Sequence, residues 1–265
     1  MASSPSLPWR GPGPGRPALP LPPERMPLLR GGRPLKRWRW VGAFSPEAML
    51  CVASARVGGV PLAWWAVWDG TRLHERSYRR GGPIRLEPGR VVAPGIELRI
   101  EEGPAVETVS AHGRQYIATA KQGGVAATGT VLGRPFEGRA IVDDSAGYHA
   151  RSTAWRWSAG VGVAASGARV AWNLVDGVHD APVGSERTVW IDGAAHEVEP
   201  QAFADGLAGV GGLRFEALAT RARRERLGVF SSDYEQPFGR FTGELPVAGA
   251  LREGWGVMER HDVRW

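Results

Sequence analysis

The sequence has 265 residues, 43% of them hydrophobic, so it can form one large domain or two small ones with a well-buried core. Its net charge of +6 is concentrated at the N-terminus, where residues 1–40 hold eight Lys or Arg against one acidic residue. The remaining residues hold 25 Lys or Arg and 26 Asp or Glu. A nucleic-acid-binding domain needs a basic face on its folded part, so this distribution argues against nucleic acid as a partner.

Cysteine content and apolar runs indicate the compartment. The single cysteine, Cys51, excludes an intrachain disulfide and is typical of a reducing compartment. Its apolar surroundings predict a buried, inert thiol. The sequence has no apolar run of roughly 18 residues, so we predict no membrane span. Prolines interrupt the N-terminal region where a signal peptide would need an apolar core. We therefore predict a cytoplasmic protein.

The N-terminal 24 residues are rich in proline and glycine and have no hydrophobic periodicity, which predicts a disordered basic tail. Order is predicted to begin near Met26. From there the pattern has period 2, typical of strands, and residues 36–41 place Trp38 and Trp40 on one side and arginines on the other. Similar alternation occurs at residues 96–101, 155–163 and 213–217.

Turn residues separate these strands. Asp69-Gly70 and Asp192-Gly193 predict tight hairpins, and Pro88-Gly89 and Pro94-Gly95 predict two further turns. Helices are scarce in the pattern: residues 217–227 favour either a helix or a strand pair, and short helices are predicted only near 46–48 and 200–207. The last ten residues predict a strand within a sheet. Residues 234–239 predict a bulged edge or a turn, because Pro237 cannot donate to a central ladder.

The number of strands indicates the architecture. About sixteen short strands exceed the roughly eight that fill a closed barrel. We therefore predict an all-β protein of two antiparallel barrel or sandwich domains with few short helices. The predicted N-terminal domain spans residues 26–142 and the C-terminal domain 143–265, with the seam near 142–147.

The segment 143–157 carries the main candidate site. A carboxylate near apolar rings has a raised pKa and can act as a general acid, so Asp144, with Asp143 as the alternative, is the predicted acid. His149 is its predicted partner. Tyr148, Trp155 and Trp157 are predicted to line the pocket. The alternative is that residues 143–147 form an ordinary turn and the two tryptophans an ordinary core face.

Two further groups are candidate ligand contacts. Glu186, next to Arg187, predicts a buried ion pair that orients another group. Glu259 and His261 share one face of the last strand, and this face points either into a cavity or into water.

Metal and cofactor motifs are not found in the sequence. Asp176, His179 and Asp180 are close in sequence, but three or four ligands with a known zinc spacing cannot be assembled from them. Nucleotide-binding glycine loops, the zinc-protease motif and the hydrolase nucleophile elbow do not occur. We predict neither a metal nor a cofactor.

Several segments, in one order, resemble a known family. They are residues 143–151, 155–162, 173–175, 185–193, 236–239 and 256–265. Over Met26 to Trp265 the sequence resembles the bacterial family catalogued as domain of unknown function 2804, which carries no established activity. It is more distantly similar to the lipocalin-like proteins that include carotenoid hydratases and AttH-type proteins.

The distant similarity rests on a Tyr, an Asp and a His before a Trp-x-Trp strand, which Asp144, Tyr148, His149, Trp155 and Trp157 match in a different order and spacing. The resemblance implies two lipocalin-like barrels with an apolar ligand site within or between them.

Three functions follow as hypotheses. The leading one is binding of a hydrophobic small molecule, lipid or isoprenoid-like, with hydratase- or isomerase-like acid–base chemistry as the finer form. The alternative is a non-catalytic binding or structural module in which the polar groups satisfy one another. A third, polysaccharide binding, predicts that Trp38, Trp64 or Trp65 lie in a flat exposed row.

Overall fold

The structure, a computed structural model, describes residues 7–12, 15–228 and 230–265. Two large antiparallel sheets account for most of this part of the chain, together with a two-stranded hairpin. The only helical element among the described residues is a short 3-10 helix, Asp205–Leu207, within the predicted region 200–207. The predicted all-β class is confirmed.

The first sheet contains eleven strands from the N-terminal half. In chain order, the strands of this sheet and of the separate hairpin are β1 (Trp9–Arg10), β2 (Leu29–Arg30), β3 (Arg33–Pro34), β4 (Lys36–Phe44), β5 (Met49–Val57), β6 (Val60–Trp68), β7 (Leu73–Arg79), β8 (Arg85–Glu87), β9 (Arg90–Ala93), β10 (Ile96–Ile100), β11 (Val106–His112), β12 (Gln115–Val131) and β13 (Arg134–Gly147). Strands β2 and β3 form the hairpin, and the path through the sheet is β7-β6-β5-β4-β13-β12-β10-β9-β8. Strand β11 pairs with the first half of β12 on one edge and with the short strand β1 on its other edge.

This sheet curls like a half-barrel. Apolar side chains of β4 to β6 pack against those of β9, β10, β12 and β13 in one cluster, so the two ends of the sheet approach each other. Val52 and Leu98 are fully buried members from opposite sides of the curl. Burial of each such side chain contributes about 1.5–3 kcal/mol.

The second sheet contains eight strands from the C-terminal half. They are β14 (Ser152–Ala164), β15 (Arg169–Asp176), β16 (Thr188–Ile191), β17 (Ala194–Glu197), β18 (Gly209–Val210), β19 (Leu213–Leu227), β20 (Phe230–Leu245) and β21 (Gly249–Arg264). Their order is β17-β16-β15-β14-β21-β20-β19-β18. One face covers its own apolar cluster, which includes Trp172, Phe241 and Leu207.

The two sheets share a core. Trp40, Cys51 and Ile141 of the first sheet pack in one cluster with Trp157 and Val257 of the second. The concave face of each sheet therefore encloses its own apolar cluster, and the opposite faces meet in this common layer. Any polar side chain on the meeting faces is buried between two sheets.

The N-terminal segment differs from its prediction as a disordered tail. Among its described residues, Trp9 pairs with Val109 of β11, and Leu21 is only 1% exposed. Leu21 packs with Met26, Tyr116 and other apolar side chains in a fourth cluster. Scattered apolar residues among the prolines hold this segment on the sheet, a contact that periodicity cannot reveal. Residues 1–6 and 13–14 lie outside the described residues, and their disorder stays a prediction.

Hairpin predictions from turn residues are confirmed. Asp192-Gly193 joins β16 to β17 with φ of 48° and 87°, the double positive φ that a tight two-residue hairpin requires. Asp69-Gly70 lies between the paired strands β6 and β7. The two Pro-Gly turns lie between β8 and β9 and between β9 and β10.

Two other local predictions are resolved. Residues 217–227 belong to the single long strand β19, so the helix alternative is wrong. The edge or turn predicted around Pro237 is also wrong, because β20 lies between β19 and β21. The ladder with β21 runs from Glu235 to Phe238 without a pair at the proline, which has no N–H to donate.

The chain passes from one sheet to the other between Gly147 and Ser152. The boundary predicted at 142/143 therefore falls inside β13, whose last five residues still pair with β4 and β12. Division into two independently folding domains stays a prediction.

Candidate functional site

Two neighbouring carboxylates on β13 point to opposite faces of the first sheet. Asp143 faces the layer between the sheets, where it forms an ion pair with Lys121. Asp144 faces the concave side, where it forms an ion pair with Arg39 of β4. The alternation of side chains along a strand produces this separation. The predicted acid and its predicted alternative thus belong to two different environments.

The concave side of the first sheet holds a cavity of about 770 Å³. Leu21 and Val109 of the fourth apolar cluster line one part, and Ile84 and Leu86, which pack on the cluster inside the curl, line another. The charged side chains of its lining are Arg16, Arg37, Arg39, Arg56, Arg85, Glu87, Glu107 and Asp144. The cavity therefore offers both apolar and ionic contacts.

Asp144 lies in the wall of this cavity. Burial raises the pKa of Asp144 to about 6, although the positive charge of Arg39 acts in the opposite direction. Arg39 also forms an ion pair with Glu102. Burial opposes ionisation of Glu102, but hydrogen bonds from the Gly89 N–H and from Arg39 lower its pKa overall. Of Asp144 and Glu102, Asp144 is therefore the carboxyl whose pKa is raised towards neutral pH.

Between the sheets, Lys121 of β12 joins two carboxylates. Its Nζ lies 2.7 Å from Oδ1 of Asp143 and 3.4 Å from Oε1 of Glu186 in the second half of the chain. Burial alone would lower the pKa of Lys121, but the two carboxylates outweigh it and the pKa is raised. For Asp143, burial outweighs the lysine and raises the pKa. This ion pair connects the two sheets.

Glu259 of β21 lies in the same layer. It accepts hydrogen bonds of 2.8 Å from Nε1 of Trp155 and from Nε2 of Gln236. Burial raises the pKa of Glu259 to about 7, while the hydrogen bond from Trp155 acts in the opposite direction. Gln236 in turn accepts a hydrogen bond from the thiol of Cys51 on the other sheet. We call Lys121, Asp143, Glu186 and Glu259 the inter-sheet cluster.

Cys51 itself is fully buried, and burial raises the pKa of its thiol to about 12. The thiol is therefore protonated at neutral pH. The burial of Cys51 agrees with the prediction of a buried, inert thiol.

Neither of the two predicted site histidines lines the cavity. His149 is buried against Trp38 and Trp265, and burial together with the charge of Lys36 keeps its pKa well below the usual range. His261 lies 2.8 Å from the Ser232 hydroxyl and edge-on to Trp155, and burial lowers its pKa to about 4. Both are neutral at pH 7. No hydrogen bond joins His149 to Asp144 in the described residues.

Tyr148 and Trp157 make structural contacts. The Tyr148 hydroxyl donates a 2.7 Å hydrogen bond to the carbonyl of Pro27 in the N-terminal segment. Nε1 of Trp157 donates a 2.7 Å hydrogen bond to Oδ1 of Asn173, and its ring packs edge-on against Trp40. Both side chains are buried outside the cavity lining.

Of the nine predicted site residues, Asp144 lines the cavity. Asp143, Glu186 and Glu259 belong to the inter-sheet cluster, with Trp155 and Trp157 beside them. Sequence reasoning did not select the cavity arginines or Lys121. Two signals existed: the arginines of residues 36–41 face away from the tryptophans, and Lys121 is one of two lysines in the chain.

The described residues contain no group of three or more His, Cys, Asp or Glu side chains arranged to hold a metal. Asp176 pairs with Arg156, Asp180 accepts a hydrogen bond from the Gly177 N–H, and His179 is buried beside Ser110. These three side chains serve three different contacts.

The exposed tryptophan row that polysaccharide binding requires is contradicted. Trp65 is buried, and Trp38 and Trp64 pack against the core between the sheets. Their rings face protein rather than a flat open surface.

The sequence model described as "Domain of unknown function (DUF2804)" matches residues 101–265, more than half of the chain. The chain belongs to the DUF2804 family. The predicted resemblance is thereby confirmed. The matched region contains Asp143, Asp144 and the whole second sheet, whereas Arg37, Arg39, Arg56 and Arg85 of the cavity lie before it.

Several solved structures have a similar chain path. An AttH-type protein from Nitrosomonas europaea shares 12% identity over 92% of this DUF2804 chain and 98% of its own, with a TM-score of 0.43. Kievitone hydratase from Nectria haematococca shares 9% over 84% and 88%, with a TM-score of 0.42. CghA bound to Sch210972 shares 10% over 87% and 88%, with a TM-score of 0.41. Among curated proteins, none matches the chain in sequence.

No helix among the described residues is both long and apolar enough to cross a membrane.

Proposed function

We propose that this protein binds a small molecule with a hydrocarbon part in the cavity of the first sheet. The observation that carries the proposal is the cavity itself, since about 770 Å³ lies within the range of small-molecule sites. Apolar side chains from two clusters meet charged ones in its lining, as in a site that holds an apolar body and orients it by a few polar contacts.

The proposal includes acid–base chemistry at Asp144. With a pKa of about 6, roughly one Asp144 side chain in ten carries a proton at pH 7. The protonated side chain can donate a proton to a bound alkene; water then adds to the resulting carbocation and returns one proton to the Asp144 carboxylate. Arg39, which pairs with Asp144, stabilises the carboxylate left after the transfer. His149 is not part of this proposal, since it makes no contact with the cavity.

Binding is tested with decanol and farnesol by isothermal titration calorimetry. Ala120 lies opposite Asp144 in the β12–β13 ladder and lines the cavity, so Ala120→Trp fills the space without disturbing an apolar cluster. We expect the wild type to bind at least one probe and Ala120→Trp to bind neither. Ala154→Trp, at an exposed position of β14, is the matched control and retains binding. Equal binding by wild type and Ala120→Trp would exclude the cavity.

Chemistry is tested separately in D₂O. If Asp144 protonates a bound alkene, mass spectrometry will detect deuterium in the hydration product of farnesol, or in farnesol that re-forms from it by loss of water, with the wild type. Asp144→Asn, which carries no exchangeable acid proton, will give none. Incorporation at the same rate in both proteins would remove Asp144 from the proposal while leaving the binding site intact.

The alternative function, a non-catalytic module, is favoured by the inter-sheet cluster. Its charges pair with one another in a packed layer, as expected for groups that fix the relative position of two sheets. A cytoplasmic location remains part of our proposal, supported by the single buried thiol of Cys51.

A further inference from the structure

Two arginines lie directly opposite each other across the ladder of β4 and β5. Arg37 pairs in register with Arg56, and both line the cavity. Cβ atoms of directly opposed residues are about 5 Å apart, and like charges at this separation destabilise a sheet. Neither guanidinium has an ion pair or side-chain hydrogen bond with any residue that the structure describes.

In each of the other directly opposed arginine pairs of the described chain, at least one guanidinium has an ion pair or a side-chain hydrogen bond. Among them, Arg90 opposite Arg99 pairs with Glu97 at 2.7 Å. Arg156 and Arg260 are opposed in the second sheet, and they pair with Asp176 and Glu235 respectively. Arg33, opposite Arg30 in the β2–β3 hairpin, donates to the His112 carbonyl. Among the opposed arginine pairs of the described residues, Arg37 and Arg56 are the pair in which neither guanidinium has such a partner.

The acidic side chains of the cavity do not neutralise this pair. Asp144 is engaged by Arg39, and Glu107 lies 3.3 Å from Arg16. Glu87 lies on the short strand β8, two residues from Arg85, which also lines the cavity without an ion pair in the described structure. The lining holds five arginines and three carboxylates, and Arg39 also pairs with Glu102 outside the lining. The lining arginines left without an ion pair in the described structure are Arg37, Arg56 and Arg85.

We propose that Arg37 and Arg56 bind the anionic group of the ligand, so that the cavity takes an amphipathic anion: a carboxylate or phosphate ester with a hydrocarbon chain. An anion between two guanidinium groups accepts charge-assisted hydrogen bonds from both and removes their repulsion. This inference rests on the proposed function and specifies the ligand of the same site.

The exposure of the cavity side chains indicates the orientation of the bound ligand. Arg37, Arg56 and Arg85 are exposed, so they mark the side where the cavity opens to solvent. Ile84 and Leu86 are partly buried against the cluster inside the curl. An amphipathic anion therefore places its charged group among the arginines and its hydrocarbon chain on Ile84 and Leu86.

The experiment compares decanoate, decanol and decyl phosphate by calorimetry at low ionic strength. We expect decanoate or decyl phosphate to bind wild type at least about tenfold more tightly than decanol, because charge-assisted bonds form only with the anions. In Arg37→Gln/Arg56→Gln this preference disappears, while decanol binds as before. Inorganic phosphate, which lacks a hydrocarbon chain, binds at least about tenfold more weakly than decyl phosphate.

The matched control is Arg90→Gln/Arg99→Gln, which removes the same charge from another opposed arginine pair and keeps the anion preference. If decanol and the anions bind the wild type equally, or if both double variants lose the preference alike, the inference is wrong although the cavity still binds ligands. If none of the probes binds, the proposed function fails with it. Circular dichroism of each variant confirms that it is folded.

Discussion

Asp143 and Asp144 are chain neighbours of identical chemistry, yet the two regions they enter differ in how charge is compensated. In the inter-sheet cluster, Asp143 and Glu186 surround Lys121, and all three are buried in a packed layer. In the cavity, Asp144 is matched by Arg39, but Arg37 and Arg56 are exposed without a counter-charge. A buried charge must find its partner within the protein, whereas an uncompensated charge beside open space is available to a ligand.

Under our proposal, polar groups between the sheets are structural, whereas those of the cavity bind the ligand. Most of the sequence-predicted site residues then belong to the connection between the sheets. Under the same proposal, the ligand is recognised by a surface that begins in β4 and β5, before the region that the family model matches. Mutations in the two regions should then have different consequences, on stability in one and on binding in the other.

The largest effect is expected from Lys121→Met. The change leaves Asp143 and Glu186 buried without their cation, and loss of one partner of a buried ion pair costs about 3–5 kcal/mol. Urea unfolding followed by fluorescence measures the loss. Because protonation neutralises the two carboxylates left without a cation, the difference in unfolding free energy between wild type and variant should decrease as the pH is lowered.

Its control is Arg90→Gln, which removes one partner of a surface pair whose side chains are about 60% exposed and should change stability by less than about 1 kcal/mol. Replacing Lys121, Asp143 and Glu186 together by Met, Asn and Gln should recover part of the loss. A Lys121→Met protein as stable as wild type would show that the cluster does not hold the sheets.

A pH-dependent effect is expected at Glu259. Its pKa is about 7 in the folded protein and about 4.5 when unfolded, so the unfolded chain releases this proton first. Wild-type stability from this group is therefore present at low pH and declines as pH rises from about 4.5 to 7. At about 1.4 kcal/mol per pKa unit, the decline reaches at most roughly 3 kcal/mol.

Glu259→Gln has no such proton, so its stability relative to wild type should rise across the same window. Taking the difference between the two proteins cancels the contribution of His261, whose lowered pKa acts with the opposite sign as the pH falls from 6.5 to about 4. A constant difference between pH 4.5 and 7.5 would contradict the assignment.

A smaller effect is expected where the N-terminal segment, which contributes Leu21 to the cavity lining, is attached to the sheet. Tyr148→Phe removes the hydrogen bond to Pro27 and should cost about 1 kcal/mol. Limited proteolysis should then cut the segment before Met26 faster than in wild type. Tyr78→Phe, on β7 away from this segment, serves as the control and should leave the cleavage pattern unchanged. Unchanged cleavage in Tyr148→Phe would show that this hydrogen bond does not hold the N-terminal segment on the sheet.

The smallest effect on stability is expected from Asp144→Asn. Its side chain is 39% exposed, so solvent screens both its pair with Arg39 and the cost of its charge, and the change in stability should stay below about 1 kcal/mol in either direction. Thermal unfolding measures it. A loss as large as that of Lys121→Met would place Asp144 in a structural role and remove the contrast with Asp143.

Local features of this fold could be predicted from sequence because they depend on neighbours along the chain. Asp192-Gly193 specifies a tight hairpin by its own backbone preferences, and the alternation around Trp38 and Trp40 specifies two faces of β4. The order of the N-terminal segment could not be predicted, since it depends on Leu21 and Met26 meeting Tyr116 far along the chain.

The site was less predictable for the same reason. Asp143 and Asp144 must face opposite sides of any strand, but which side becomes a packed layer depends on where the second sheet lies. The opposition of Arg37 and Arg56 depends on the register of β4 and β5, and the partners of Lys121 lie 22 and 65 residues away. Neither the register of β4 and β5 nor the partners of Lys121 can be derived from residue type and spacing.

We propose that the cavity, rather than the layer between the sheets, receives the ligand. A crystal structure of the full chain grown with decanoate tests it most directly. We predict density for the carboxylate between Arg37 and Arg56 and for the hydrocarbon chain along Ile84 and Leu86. Decanoate bound beside Glu259 and Trp155, with the cavity empty, would contradict the account.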